Sequence, residues 1–119
     1  VERAVIVEGA RTPVGRFLGS FSEVPAVDLG IHATKAALDR AGVEPSQVDE
    51  LVFGHARQAG NGPNPARQVA YRSGLGEEKP AFTVNMACGS GTKAIQIAAE
   101  QIMLGNAEAA VAGGQENMT

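Results

Sequence analysis

The chain has 119 residues, of which 44% are hydrophobic and 19% charged, proportions that suit one soluble globular unit over residues 1–119 and exclude a disordered chain. Its formal net charge is −3 and its ten basic residues are scattered, which excludes the electrostatic footprint of nucleic-acid or anionic-membrane binding; with no signal-like start and no apolar run of spanning length, the chain reads as cytoplasmic. The single cysteine, Cys88, rules out an internal disulfide and has no Cys or His at metal-ligand spacing, so no metal is expected.

Val5-Ile6-Val7, running into Glu8-Gly9, has the pattern of a short buried strand. The stretch from Arg11 to Ser22 holds two glycines and a proline, the composition of a long shaped loop. From Pro25 to Ala41, Val27, Ile31, Thr34 and Leu38 recur at helical spacing, with Gly42 placed to close the last turn in a left-handed conformation and Val43 to cover it. Glu50–Gly54 reads as a second strand. Asn64 before Pro65 reads as a helix N-cap followed by proline in the first turn, opening a short helix to about Arg72 that Gly74 ends.

Phe82–Met86 reads as a third strand and Gly91–Leu104 as a helix, whose small and apolar residues, among them Ala94, Ile95, Ala98 and Ile102, cover more than one face and predict burial between layers. Ala109–Ala112 reads as a fourth strand, after which Gly113-Gly114 lets the backbone pass close to a neighbour. The order β-α-β-α-β-α-β predicts an α/β fold with a mainly parallel sheet and right-handed crossovers. Because the residues to Thr119 follow directly on a buried-looking strand, with no covering helix, the chain is expected to be part of a larger unit or to need a partner segment.

Cys88 carries the chemistry. It lies where the third strand hands over to the following helix, in Asn85-Met86-Ala87-Cys88-Gly89-Ser90-Gly91-Thr92, and unpaired amides and the helix dipole at such a junction favour the nucleophilic thiolate. Gly89 and Gly91 leave room for a bulky thioester and leave backbone N–H groups to hold an oxyanion. The bland alternative, an inert core cysteine, loses weight because of those flanking glycines. A dinucleotide fingerprint, Gly89-x-Gly91-x-x-Ala94, competes for the same residues, but Glu108 precedes the next strand and Glu116 lies beyond it, so the acidic partner is misplaced.

His32 and His55 lack partners at triad or metal spacing and read as structural. Arg11 and Arg67 read as ion-pair or interface residues ahead of phosphate ligands, and Glu116 as an acceptor for backbone amides ahead of a general base.

The segment Asn85-Met86-Ala87-Cys88-Gly89-Ser90-Gly91 resembles the nucleophile motif of the thiolase family. Gly9-Ala10-Arg11-Thr12-Pro13-Val14-Gly15 is similar to the family's opening, Gln58-Ala59-Gly60 with Asn64-Pro65-Ala66-Arg67-Gln68 to its middle, and Gly113-Gly114-Gln115-Glu116-Asn117-Met118 to its Gly-Gly-x-Glu-x-Met segment. His55, Gly62-Pro63 and Thr92-Lys93 depart from the commonest family pattern, and none of them is the nucleophile.

This resemblance implies the first half of a five-layered α-β-α-β-α fold and an acyltransferase in which a thioester acylates Cys88. The acyl group would pass to coenzyme A, in thiolysis of a 3-ketoacyl-CoA, or to acetyl-CoA, in a Claisen condensation giving acetoacetyl-CoA. It further implies a role in fatty acid metabolism, acyl-CoA and CoA as substrates with no permanently bound cofactor, and a homodimer or homotetramer. The family's catalytic histidines, an asparagine and a second cysteine have no counterpart here, so the isolated segment is expected to be inactive. Ketoacyl synthases and hydroxymethylglutaryl-CoA synthases, which share the fold and cysteine, and a non-catalytic binding or assembly fragment are the alternatives. The surrounding motifs favour thiolase.

Overall fold

The structure, a computed structural model, describes residues 3–119; Val1 and Glu2, part of the start read above for a leader, lie outside it. Helix α1 (Ala26–Ala41) is followed by a 3-10 turn (Pro45–Gln47), strand β1 (Glu50–Gly54), helix α2 (Pro65–Arg72), strand β2 (Ala81–Val84), helix α3 (Ser90–Met103) and strand β3 (Ala110–Gly114). The three strands form one parallel sheet in the order β2-β1-β3. No helix among the described residues is long and apolar enough to cross a membrane.

Strand β1 is central and buried at all five positions. Alternation sends its side chains to two faces. Leu51 and Phe53 join Val27, Ile31 and Leu38 of α1 and Ala66, Val69 and Ala70 of α2 in the main core. Val52 and Gly54 point the other way, toward α3. This two-sided cover follows from handedness. The chain steps outward from β1 to β2 through α2, then back past β1 to β3 through α3, and right-handed crossovers in opposite directions must lie on opposite faces. Burying Leu51 and Phe53 contributes about 1.5–3 kcal/mol each.

The sequence periodicity of α1 holds in detail: Val27, Ile31, Thr34 and Leu38 are all buried, and Gly42 takes φ 69° while its N–H donates to carbonyls of the last turn. The Val43 N–H closes the same turn on the Leu38 carbonyl at 3.1 Å. At α2 the N-cap position is Asn64, yet its side chain does not cap. Asn64 instead spans to β2, donating to the Ala81 carbonyl at 3.0 Å and accepting from the Thr83 hydroxyl at 2.7 Å. Thr83 Oγ1 accepts the Ala66 N–H at 3.0 Å, so the helix is capped from the neighbouring strand.

One expectation is corrected. Val5-Ile6-Val7 forms no strand: the segment is irregular, its side chains are 68%, 83% and 71% exposed, and the order of regular elements therefore begins with α1 and not with a strand. A strand needs a hydrogen-bonded neighbour, and among the described residues none lies against this one. On helix α3, Ser90, Ala94 and Ala98 are buried on the sheet, and Ile95 and Met103 are exposed on its far side among the described residues.

Backbone proximity fixes where α3 starts. A Cβ added to Gly54 would stand 2.4 Å from the Ser90 carbonyl carbon and 2.6 Å from the Gly91 nitrogen, and one added to Gly114 would stand 3.4 Å from the Gly91 Cα. A Cβ added to Gly113 would stand 3.0 Å from the Phe53 ring, which is the close passage that the paired glycines imply. Because these obstacles at Gly54 are backbone, Gly54→Ala in the full-length protein is expected to lower stability by about 2 kcal/mol or more. Urea denaturation followed by circular dichroism measures it; a loss below about 0.5 kcal/mol would contradict the packing.

At the other end of the sheet, Asp49 Oδ2 accepts the N–H groups of Glu108 at 2.8 Å and Ala109 at 3.2 Å, and its own N–H donates to the Ala109 carbonyl at 2.8 Å. These bonds join the entry of β1 to that of β3. The two backbone donors hold the Asp49 carboxyl below the ordinary aspartate range, Lys79 adding to them and burial opposing. A folded-state value below the unfolded one contributes stability above the unfolded titration and loses it as pH falls through the folded one. Asp49→Asn is therefore expected to cost about 1 kcal/mol at neutral pH. In paired denaturation curves taken down a pH series, the difference from the native protein should close below the ordinary carboxylate range.

Candidate active site

Parallel order places the carboxyl ends of all three strands on one edge, where open α/β sheets offer a crevice for ligands. Strand β2 ends at Val84, residues 85–89 turn, and α3 begins at Ser90. Within the turn Ala87 has φ 49°, a left-handed conformation that costs a residue with a Cβ about 1–2 kcal/mol. Cys88 follows, and it is free and exposed.

Hydrogen bonds hold this turn on both sides of the sulfur. The Gly89 N–H donates to the Met86 carbonyl at 3.0 Å and the Ser90 N–H to that of Ala87 at 3.2 Å. Ser90 Oγ accepts the Met86 N–H at 2.8 Å and donates to the Ala87 carbonyl at 2.7 Å. Asn85 Oδ1 accepts the Ala87 N–H at 3.0 Å, while Asn85 Nδ2 reaches across to the Ala56 carbonyl beyond β1 at 3.1 Å. The sequence reading gave access to Gly89 and Gly91 but assigned nothing to Ser90 or Asn85. The available signal was a serine opening the helix, a position where hydroxyls favour local backbone bonds.

Glu116, just past β3, accepts the N–H groups of Ala56 at 2.9 Å and Arg57 at 2.8 Å through its two oxygens. It is the amide acceptor that the sequence suggested. His55 is buried, with Nδ1 lying 3.2 Å from Gln115 Nε2, its N–H donating to the Val84 carbonyl at 3.0 Å and its carbonyl accepting from Gln58 at 2.7 Å. His32 is exposed on α1, distant in sequence and element from the turn. The Arg67 guanidinium donates to the carbonyls of Gly76 and Lys79 and so braces the loop before β2. Arg11 is exposed, donating to the Thr12 carbonyl at 3.0 Å. The structure thus brings Glu116 and Asn85 to the edge that carries Cys88, and engages His55 and Arg67 in packing and loop support.

The dinucleotide reading finds no support in the topology. Its glycines would follow β2, an outer strand of the described sheet, and the Glu116 carboxylate is already engaged by two amides. No cluster of His, Cys, Asp or Glu among the described residues could hold a metal. A groove of about 440 Å³ runs between residues 10–17 and 114–119, and Cys88 does not line it.

Because Ser90 is buried and makes both of its bonds within the turn, Ser90→Ala is expected to destabilise by about 1–3 kcal/mol. It should also broaden the amide signals of residues 86–89 in NMR spectra. Unchanged spectra and stability would show that the turn holds itself.

Comparison with known proteins agrees with this geometry. The family described as "Thiolase, N-terminal domain" matches residues 4–119. Acetyl-CoA acetyltransferase of Cupriavidus necator is 56% identical over 115 residues, 97% of this chain and 29% of that protein. Its namesake from Paracoccus denitrificans is 50% identical over 117 residues, 98% and 30% of the two chains. Among solved structures, the Bacillus anthracis acetyl-CoA acetyltransferase superposes with a TM-score of 0.89 at 39% identity, covering 94% of this chain and 28% of that one. The Acat5 thiolase of Ascaris suum, solved in complex with coenzyme A, gives 0.87 at 34% identity, covering 89% and 28%. The chain spans about 30% of the length of these curated relatives. By sequence and by fold alike, it belongs to the thiolase family and corresponds to its N-terminal domain.

Proposed function

We propose that the full-length protein is an acyltransferase of the thiolase type and that Cys88 is its nucleophile. The observation that carries this reading is an exposed cysteine in a tightly bonded turn at the N-terminal end of α3. The Cys88 thiolate attacks the carbonyl carbon of an acyl-CoA or 3-ketoacyl-CoA, and the backbone N–H of Cys88, just ahead of α3, helps to hold the oxyanion. Collapse of that intermediate expels coenzyme A from an acyl-CoA, or the enolate of acetyl-CoA from a 3-ketoacyl-CoA, and leaves a thioester on Cys88. A second substrate then collects the acyl group: free coenzyme A in thiolysis, or the enolate of acetyl-CoA in condensation. The thiolate is regenerated in either direction.

Acyl-CoA and CoA are the substrates in this reading, supported by the names of the relatives and by coenzyme A in the Ascaris suum structure. The remaining acid–base groups belong to the rest of the protein, so the isolated segment is inactive. Exposed Val5, Ile6, Val7 and Ile95 support cover by further chain. A homodimer or homotetramer acting in cytoplasmic fatty acid metabolism completes the proposal.

Brief exposure of the full-length protein to acetyl-CoA, followed by peptide mapping with mass spectrometry, is expected to find acetyl on Cys88 and to lose it when coenzyme A is added. Cys88→Ala should abolish the modification and reduce turnover by at least about 10³-fold. A folded protein that leaves Cys88 unmodified by any acyl-CoA would sink the reading in favour of a binding or assembly role.

A further inference from the structure

We propose that Asn85 is a positioning residue for Cys88: its carboxamide holds Ala87 in the left-handed conformation and anchors the turn to the end of β1, which Glu116 fixes in place. This inference rests on the reading of Cys88 as the nucleophile.

The two halves of the Asn85 side chain act on different strands. Oδ1 accepts the N–H of Ala87, the residue immediately before Cys88, at 3.0 Å. Nδ2 donates to the Ala56 carbonyl at 3.1 Å. The same residue, Ala56, gives its N–H to Glu116 at 2.9 Å, and Arg57 gives its own at 2.8 Å. A continuous hydrogen-bonded path therefore runs from the end of β3, through the end of β1, to the Met86–Ala87 peptide, one residue before Cys88.

Ala87 is one of two non-glycine residues with positive φ among the described residues, the other being Leu18. Such a conformation persists only where its surroundings over-determine it. Ser90 already satisfies the Met86 N–H and the Ala87 carbonyl, which secures the start of α3. What is left for Asn85 is the Ala87 N–H, and so the orientation of the Met86–Ala87 peptide, which sets φ of Ala87 and with it the aim of the residue that follows.

The placement also separates a positioning role from one in folding. Asn85 is exposed and buries no apolar surface, and neutral bonds that water can replace contribute little to stability. Displacing a reacting atom by about 1 Å, in contrast, can cost up to about a hundredfold in rate.

The test uses the full-length protein and a cycle of Asn85→Ala, Ala87→Gly and the double variant. Glycine adopts positive φ freely, so it removes the need for the clamp. For Asn85→Ala the expected result is an approximately tenfold lower kcat for acetoacetyl-CoA thiolysis with KM changed less than about twofold, and roughly fivefold slower alkylation of Cys88 by iodoacetamide. In the Ala87→Gly background the same substitution should cost less than about threefold.

Equal losses in both backgrounds, or an Asn85→Ala protein that does not fold, would each overturn the proposal. Alkylation reports on the turn whether or not Cys88 ever carries an acyl group. A native protein never acetylated on Cys88, yet coupled between positions 85 and 87 in alkylation, would sink acyl transfer while leaving the positioning of the thiol intact.

Discussion

The first turn of α3 rests directly on the backbone of β1, and the candidate site depends on that contact. Only hydrogen atoms separate Gly54 from the Ser90–Gly91 peptide, and Gly114 closes on the same glycine from β3. A side chain at Gly54 would push the helix away from the sheet. With the helix held there, residues 85–89 must turn sharply above the strand ends, and the sulfur of Cys88 emerges at the carboxyl edge of the sheet.

Several polar side chains at the two ends of the sheet serve the backbone. Glu116 takes two amides from the loop after β1, Arg67 takes carbonyls before β2, and Thr83 caps α2 from an adjacent strand. Each satisfies a main-chain group that regular structure leaves unpaired, and an unpaired group away from water would cost about 1–3 kcal/mol. Residues whose chemistry suggests catalysis are thus occupied in keeping loops in place. Cys88 is different in that its sulfur is free and faces solvent.

The described sheet has three strands, and much apolar surface around it stays open. The Val5–Val7 stretch and the outer side of α3 at Ile95 and Met103 are exposed. Surface of this kind is normally covered, and the relatives, of which the chain spans about 30%, have the length to do so. The high structural similarity over most of this chain indicates that the local architecture around Cys88 is shared with whole thiolases.

Much of this was legible in residues alone, because the relevant forces act over a few positions. The spacing of Val27, Ile31, Thr34 and Leu38 determined α1 and its buried face, Gly42 its stop, and Glu50–Gly54 the central strand. The motif around Cys88 located the strand-to-helix junction and the family. Tertiary structure decided what periodicity cannot carry. Val5-Ile6-Val7 has strand composition but no strand, since pairing needs a neighbour that local sequence does not specify. Asn64 looked like a cap and became a bridge to β2, because Thr83 arrives from 19 residues away to accept the amide instead. The clamp on Ala87 was invisible for the same reason: Asn85, Ala56 and Glu116 meet only when three parallel strands end on one edge. Sequence fixes the elements through short-range sterics and hydrophobic spacing, whereas hydrogen bonds between distant loops exist only once packing has brought their ends within about 3 Å.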